Sequence, residues 1–153
     1  MSDKAKQKNK AVDLADLDVQ TPADAGTVVE LEHPATGDPI LDEAGVPWTI
    51  TVLGDDAGVV RALDRKHQDR RAEKMRKGKD WALDAASLDA ERTDRLVAAT
   101  IAWHGITLNG ETLDCNAKNV AKIYGDKRFA WVGEQLTRAM VDRTRFFVIS
   151  STS

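Results

Sequence analysis

Cysteine occurs once, at position 115, so neither an intrachain disulfide nor a cysteine-based zinc cluster can form. No stretch approaches the roughly 18 apolar residues of a membrane span, and the N-terminus has no apolar signal-peptide core. The expectation is a soluble intracellular protein. Glycine is scattered (Gly37, Gly45, Gly54, Gly58) and spells neither a dinucleotide fingerprint nor a P-loop. His33, His67 and His104 fall in three different segments without metal-ligand spacing, so no metal site is expected. Charge of one sign is also lacking: 22 Lys and Arg against 25 Asp and Glu leave a net charge of −3, too small to mark a polyanion binder.

What remains is enough for a core. A chain of 153 residues with 42% hydrophobic side chains can bury roughly 70% of its unfolded surface. Residues 1–26 hold four spaced lysines (Lys4, Lys6, Lys8, Lys10) and then Asp13, Asp16, Asp18 and Asp24. Their few large aliphatics (Val12, Leu14, Leu17, Val19) leave room only for a short amphipathic helix near residues 11–18. That composition predicts a disordered or conditionally ordered tail. From Thr27 the pattern alternates with period two, through Val29 and Leu31 and again through Trp48, Ile50 and Val52. With the turn chemistry of Pro34–Pro39 and Asp42–Gly45 between them, residues 27–54 read as a small antiparallel ribbon that must pack on helices.

Helices are expected at about 56–77, 87–104, 116–124 and 128–146, with Asp55-Asp56, Ser87 and Asn116 as N-caps. Residues 148–153 read as a frayed end. The fold class is therefore α+β, mainly α: a small N-terminal ribbon on a bundle of about four helices, forming one domain over residues 27–147.

Catalytic constellations are not evident. Cys115 and His104 could meet as nucleophile and base, but a lone cysteine behaves most often as a small buried hydrophobe. No catalytic residue and no cofactor site is assigned. Between Arg61 and Lys79 nine Lys and Arg face three acids, which reads as a solvated or partner-covering helix face, with nucleic-acid binding through 61–79 as the weaker alternative. Trp48 and Trp103 fall on apolar faces and read as core. Trp81, in an interhelical loop, and the terminal Phe146-Phe147-Val148-Ile149 read as anchors for a partner.

Several runs resemble one family. They are Ala98-Ala99-Thr100-Ile101-Ala102-Trp103-His104-Gly105-Ile106, Leu108-Asn109-Gly110-Glu111, Asn116-Ala117-Lys118-Asn119-Val120, Trp131-Val132-Gly133-Glu134-Gln135-Leu136 and Asp142-Arg143-Thr144-Arg145-Phe146-Phe147. With His33–Ile40 and Trp48–Gly54, they resemble tail assembly chaperones of long-tailed bacteriophages over about residues 28–147. The resemblance implies a non-catalytic protein that binds the tape measure protein and aids assembly of tail tube subunits. It would act in the cytoplasm of the infected bacterium and be absent from the mature virion. It also implies a longer frameshift product of the same gene, for which the featureless residues 148–153 would end the short form. Self-association is a further expectation. On this reading Leu136, Met140, Phe146 and Phe147 of the last helix, with Trp81, are the candidate partner-binding residues. The alternative is a virion structural component, such as a head–tail connector or tail protein.

Overall fold

The computed structural model describes residues 11–78 and 85–151, with backbone only at 148–151. Residues 1–10 of the expected tail, and Trp81, lie outside the described residues. The architecture is α+β and mainly helical. A 3-10 turn (Leu14–Leu17) leads into α1 (Gln20–Ala25), and the strands β1 (Thr27–Glu30) and β2 (Thr49–Val52) follow. Then come α2 (Gly58–Arg76), α3 (Ala85–Ala99), β3 (Thr100–His104) and a tiny hairpin, β4 (Thr107–Leu108) and β5 (Glu111–Thr112). The chain finishes with α4 (Ala117–Tyr124), a 3-10 turn (Lys127–Phe129), α5 (Ala130–Val141) and α6 (Arg143–Ser151). Among the described residues no helix is long and apolar enough to cross a membrane.

The expected ribbon is present, but it is two-thirds of a sheet. The strands lie in the order β1-β2-β3, all antiparallel. Val29, Ile50 and Trp103 share one row on the helix-facing side, and Val28, Thr51 and Ala102 share one on the outer side. The expected helix 87–104 therefore ends at Ala99, and its last five residues cross to the sheet. Thr100 stands at the switch: its hydroxyl donates to the Leu96 carbonyl at 2.8 Å and, having one proton, accepts from the Tyr124 hydroxyl at 2.7 Å.

Five further expectations are corrected. The tail gains structure from Leu14 onward, because Ala23 is buried against the core and its carbonyl accepts from the Gly54 N–H at 3.0 Å. The N-cap of α2 is neither Asp55 nor Asp56 but Ala57, whose side chain cannot cap; the carboxylate of the distant Asp24 accepts from the Gly58 N–H at 2.9 Å instead. Ser87 lies inside α3, which already runs from Ala85. The helix expected over 128–146 breaks at Asp142, whose carboxylate accepts from the Thr144 N–H at 3.1 Å and opens α6. That helix continues to Ser151 where a frayed end was expected.

The core lies between the sheet and the helical layer, with Leu31, Ile50, Val52, Val60, Leu136 and Met140 sealed from solvent. Gly133 lets α5 approach α3 closely, since a Cβ there would lie 2.9 Å from Leu96 Cδ1. One edge of the sheet is stitched to the helices as well. The Gln135 side-chain amide accepts from the Glu32 N–H at 2.9 Å and donates to the Glu32 carbonyl at 2.8 Å. It thereby stands in for a neighbouring strand just past β1.

Candidate functional site

Aromatic side chains collect at one end of the sheet. Trp48 immediately precedes β2, Trp103 lies near the end of β3, Phe129 closes the 3-10 turn before α5, and Trp131 begins α5. With Leu108 of the small hairpin they wall an apolar cleft of about 260 Å³, floored by Leu31, Ile50, Ile106, Ile123 and Val132. All four aromatics are half-buried, each with a face on the core and another on the cleft. Large rings with one face left open to solvent are the usual anchors of protein–protein contacts.

Local chemistry holds the walls in place. The Trp103 indole N–H donates to the Leu113 carbonyl at 2.8 Å, which ties β3 to the segment after the hairpin. Gly105, at φ +89°, turns the chain sharply beside Trp48, and a Cβ there would lie only 2.6 Å from Trp48 Cδ1. The indole ring thus occupies space that any other residue at 105 would fill. Arg128 stacks over Phe129 at 5.0 Å and puts a positive charge on the rim, while its guanidinium also reaches Asp126 at 2.7 Å. Apolar walls of this kind suit an apolar protein segment.

The residues expected to bind a partner are placed elsewhere. Leu136 and Met140 are in the sealed core, facing the sheet from α5. Phe146 is buried too, with its ring against Gly54, where a Cβ would sit 2.9 Å from Phe146 Cζ. These three are corrected to core residues, because the break at Asp142 swings the last helix back onto α1. Phe147 is half-buried beside Pro22 and Ala25.

Titratable groups elsewhere are engaged in structural pairs. Asp56 is buried and receives Arg143 at 2.7 and 2.9 Å and Arg61 at 2.6 Å. The Arg143 hydrogen bond, with help from Arg61 and against the effect of burial, holds its carboxyl down at about 2. Arg95 links α3 to Asp55 at 2.8 Å and to Asp64 at 3.0 Å. On α2, Arg71 pairs with Glu91 and Arg76 with Glu73, which neutralises part of the basic run, while Lys66, Arg70 and Lys74 step along its exposed side. His67 is buried 3.6 Å from Asp94, the His33 Nδ1 accepts turn N–H groups from Ala35 and Thr36, and His104 sits 2.8 Å from Asp42. Burial pushes the Cys115 thiol up, away from the reactive thiolate.

Sequence reasoning put Trp48 and Trp103 in the core and so missed the cleft. The usable signal was position: each aromatic sits at the end of an element, and antiparallel pairing brings those ends together. Comparison with protein-family models, with curated proteins and with solved structures finds no match for this chain.

Proposed function

We propose that this protein is a non-catalytic tail assembly chaperone of a long-tailed bacteriophage, acting in the cytoplasm of the infected cell and leaving before the virion is complete. The aromatic cleft is the surface with which it holds an apolar segment of the tape measure protein. Support for the interaction role comes from one observation: Trp48, Trp103, Phe129 and Trp131 turn ring faces into a shared open cleft at the end of the sheet. Support for the phage setting comes from the spelling of residues 28–147. A long helical client must keep its apolar stripe covered until tube subunits replace the cover, and a cleft of this size takes one or two side chains at a time. The charged α2 and the acidic N-terminal region keep such a complex soluble.

Coexpression with the tape measure protein and a longer frameshift product, followed by size-exclusion chromatography, tests the reading. The client is expected to become soluble and to coelute, and Leu108→Asp at the cleft wall should abolish coelution. A client that stays insoluble with both partners supplied, together with this chain in purified virions by mass spectrometry, would move the assignment to a virion structural component.

A further inference from the structure

The small net charge of the chain is the sum of two opposite fields. Residues 11–60 hold eleven Asp and Glu and no Lys or Arg, whereas residues 61–78 hold eight Lys and Arg against three acids. The second stretch is almost wholly α2, a single helix of 19 residues and so about 28 Å long. An acidic region and a basic helix in one chain give local potentials that the total of −3 conceals.

Ion pairs divide these cations into two sets. Arg61 is held by Asp56, Arg71 by Glu91, and Arg76 and Lys77 by Glu73. Arg65, Lys66, Arg70 and Lys74 are exposed, and none has an ion-pair or hydrogen-bond partner among the described residues. At about 100° per residue, Lys66, Arg70 and Lys74 share one stripe, each about 6 Å from the next along the axis. Like charges at that spacing repel and weaken a helix. Glu73 is already engaged, and Asp69 lies off the stripe by about 60°, toward Arg65, so neither carboxylate relieves the repulsion. A face that serves only solubility mixes the two signs. This one keeps one sign over about 12 Å, the axial length of three to four phosphates on one nucleic-acid strand.

The make-up of the face selects the partner. Protein contacts are centred on desolvated apolar or aromatic side chains. α2 has no aromatic residue, and the large apolar side chains it exposes, Val59 and Met75, stand at its two ends. Single strands are held by aromatic stacking as well as by charge, and no ring lies on this stripe. The wide major groove of DNA admits a helix, whereas that of duplex RNA is deep and narrow. We propose that the exposed face of α2 binds the phosphate backbone of duplex DNA through Lys66, Arg70 and Lys74, with Arg65 beside them. Contacts to phosphate carry no sequence information, so binding is indifferent to sequence. The site shares no residue with the aromatic cleft, and it stands whether or not the cleft holds a client.

Fluorescence anisotropy of a labelled DNA duplex of about 20 base pairs, titrated with the full chain, tests it. Binding is expected with a Kd of about 1–100 μM at about 50 mM salt, the range of contacts to phosphate alone. Three neutralised phosphates give a slope of log K on log salt near about −2.7, so raising salt about fourfold should weaken binding about fortyfold. Lys66→Gln/Arg70→Gln/Lys74→Gln should weaken binding at least about thirtyfold at about 50 mM salt and flatten that slope. Should the triple variant lose its circular dichroism, the three single changes replace it, each expected to take about 0.9 from the slope. Lys118→Gln/Lys122→Gln removes two equally exposed cations from α4 and should leave binding within about twofold of wild type. Leu108→Asp should bind DNA as wild type does, so a failed cleft and a failed α2 site are told apart. No binding at about 100 μM protein, a triple variant within about threefold of wild type, or tighter binding to an RNA duplex of the same sequence would each overturn the proposal. So would poly-glutamate that competes as well as unlabelled DNA, which would mark α2 as a site for an acidic protein.

Discussion

At the Val52 end of the sheet the helical layer reaches the strands and closes over them. Gly54 brings the backbone within reach of Ala23 and Phe146, the Asp55 N–H donates to the Met140 carbonyl at 3.0 Å, and Leu53 bonds to Ala99 at 2.8 Å. At the Trp48 end the same sheet runs out from under its helices, and half-buried rings stand where a closed core would have sealed residues. The two ends use the same apolar chemistry to opposite effect. Where backbone approaches closely through a glycine and carbonyls find partners, burial is complete and serves stability. Where large aromatics keep one face free, the same surface is available to a partner. Substitutions at the two ends should therefore separate stability from binding.

The largest loss belongs to the closed end. Phe146→Ser removes a buried ring and leaves a hydroxyl among apolar neighbours, and should cost at least about 3 kcal/mol in urea denaturation. Phe147→Ser, at a half-buried site, should cost less than about 1.5 kcal/mol. Equal losses would mean that the two rings are not distinguished as the closed end requires.

The Asp56 clasp, which ties the start of α2 to the start of α6, comes next. Its folded carboxyl titrates at about 2, below the ordinary 3.8, so ionisation favours the folded state. That stability is full above about pH 4 and is lost as pH falls through 2. It amounts to on the order of 1–2 kcal/mol, since both arginines are partly exposed and water screens them. Asp56→Asn should lower stability by that amount at pH 7, and the gap should narrow as pH falls through 2 and close only below it. A gap between variant and wild type that is constant across this range would sink the assignment.

Gly105→Ala carries the comparison to the open end. A side chain there meets Trp48 and must adopt a left-handed backbone, a cost of about 1–2 kcal/mol. Tryptophan emission should shift as the indole moves in the cleft, and client coelution should weaken more than stability does. An unchanged spectrum would show that Trp48 is not seated against Gly105.

The parts of this fold that were legible were those specified by neighbours in sequence. Alternation marked β1 and β2, and Asn116 capped α4 as expected, accepting from the Asn119 N–H at 2.9 Å. Residues 100–104 failed because Thr100, Ile101 and Trp103 satisfy helical and strand spacing alike, and pairing with β2 decided between them. The first N–H of α2 is satisfied by a carboxylate 34 residues earlier, which no local window contains. Phe146 looked like a sticky end because the turn at Asp142 is a single residue in an otherwise helical run. The cleft was hidden for a related reason: its rings come from four segments, and burial patterns along each segment alone assign them to the core.

The smallest expected change in stability lies in the N-terminal arm. Leu14→Asp/Leu17→Asp replaces side chains that touch little in a single copy, so the denaturation midpoint should move by the equivalent of no more than about 0.5 kcal/mol. If the leucines instead held the arm to its own chain, the same change would lower the midpoint clearly. The closed end predicts large losses of stability, and the arm predicts almost none. A large loss in the arm variant would show that seating of the arm and closure of the sheet at Gly54 are one cooperative event, because Ala23 of α1 is the link between them.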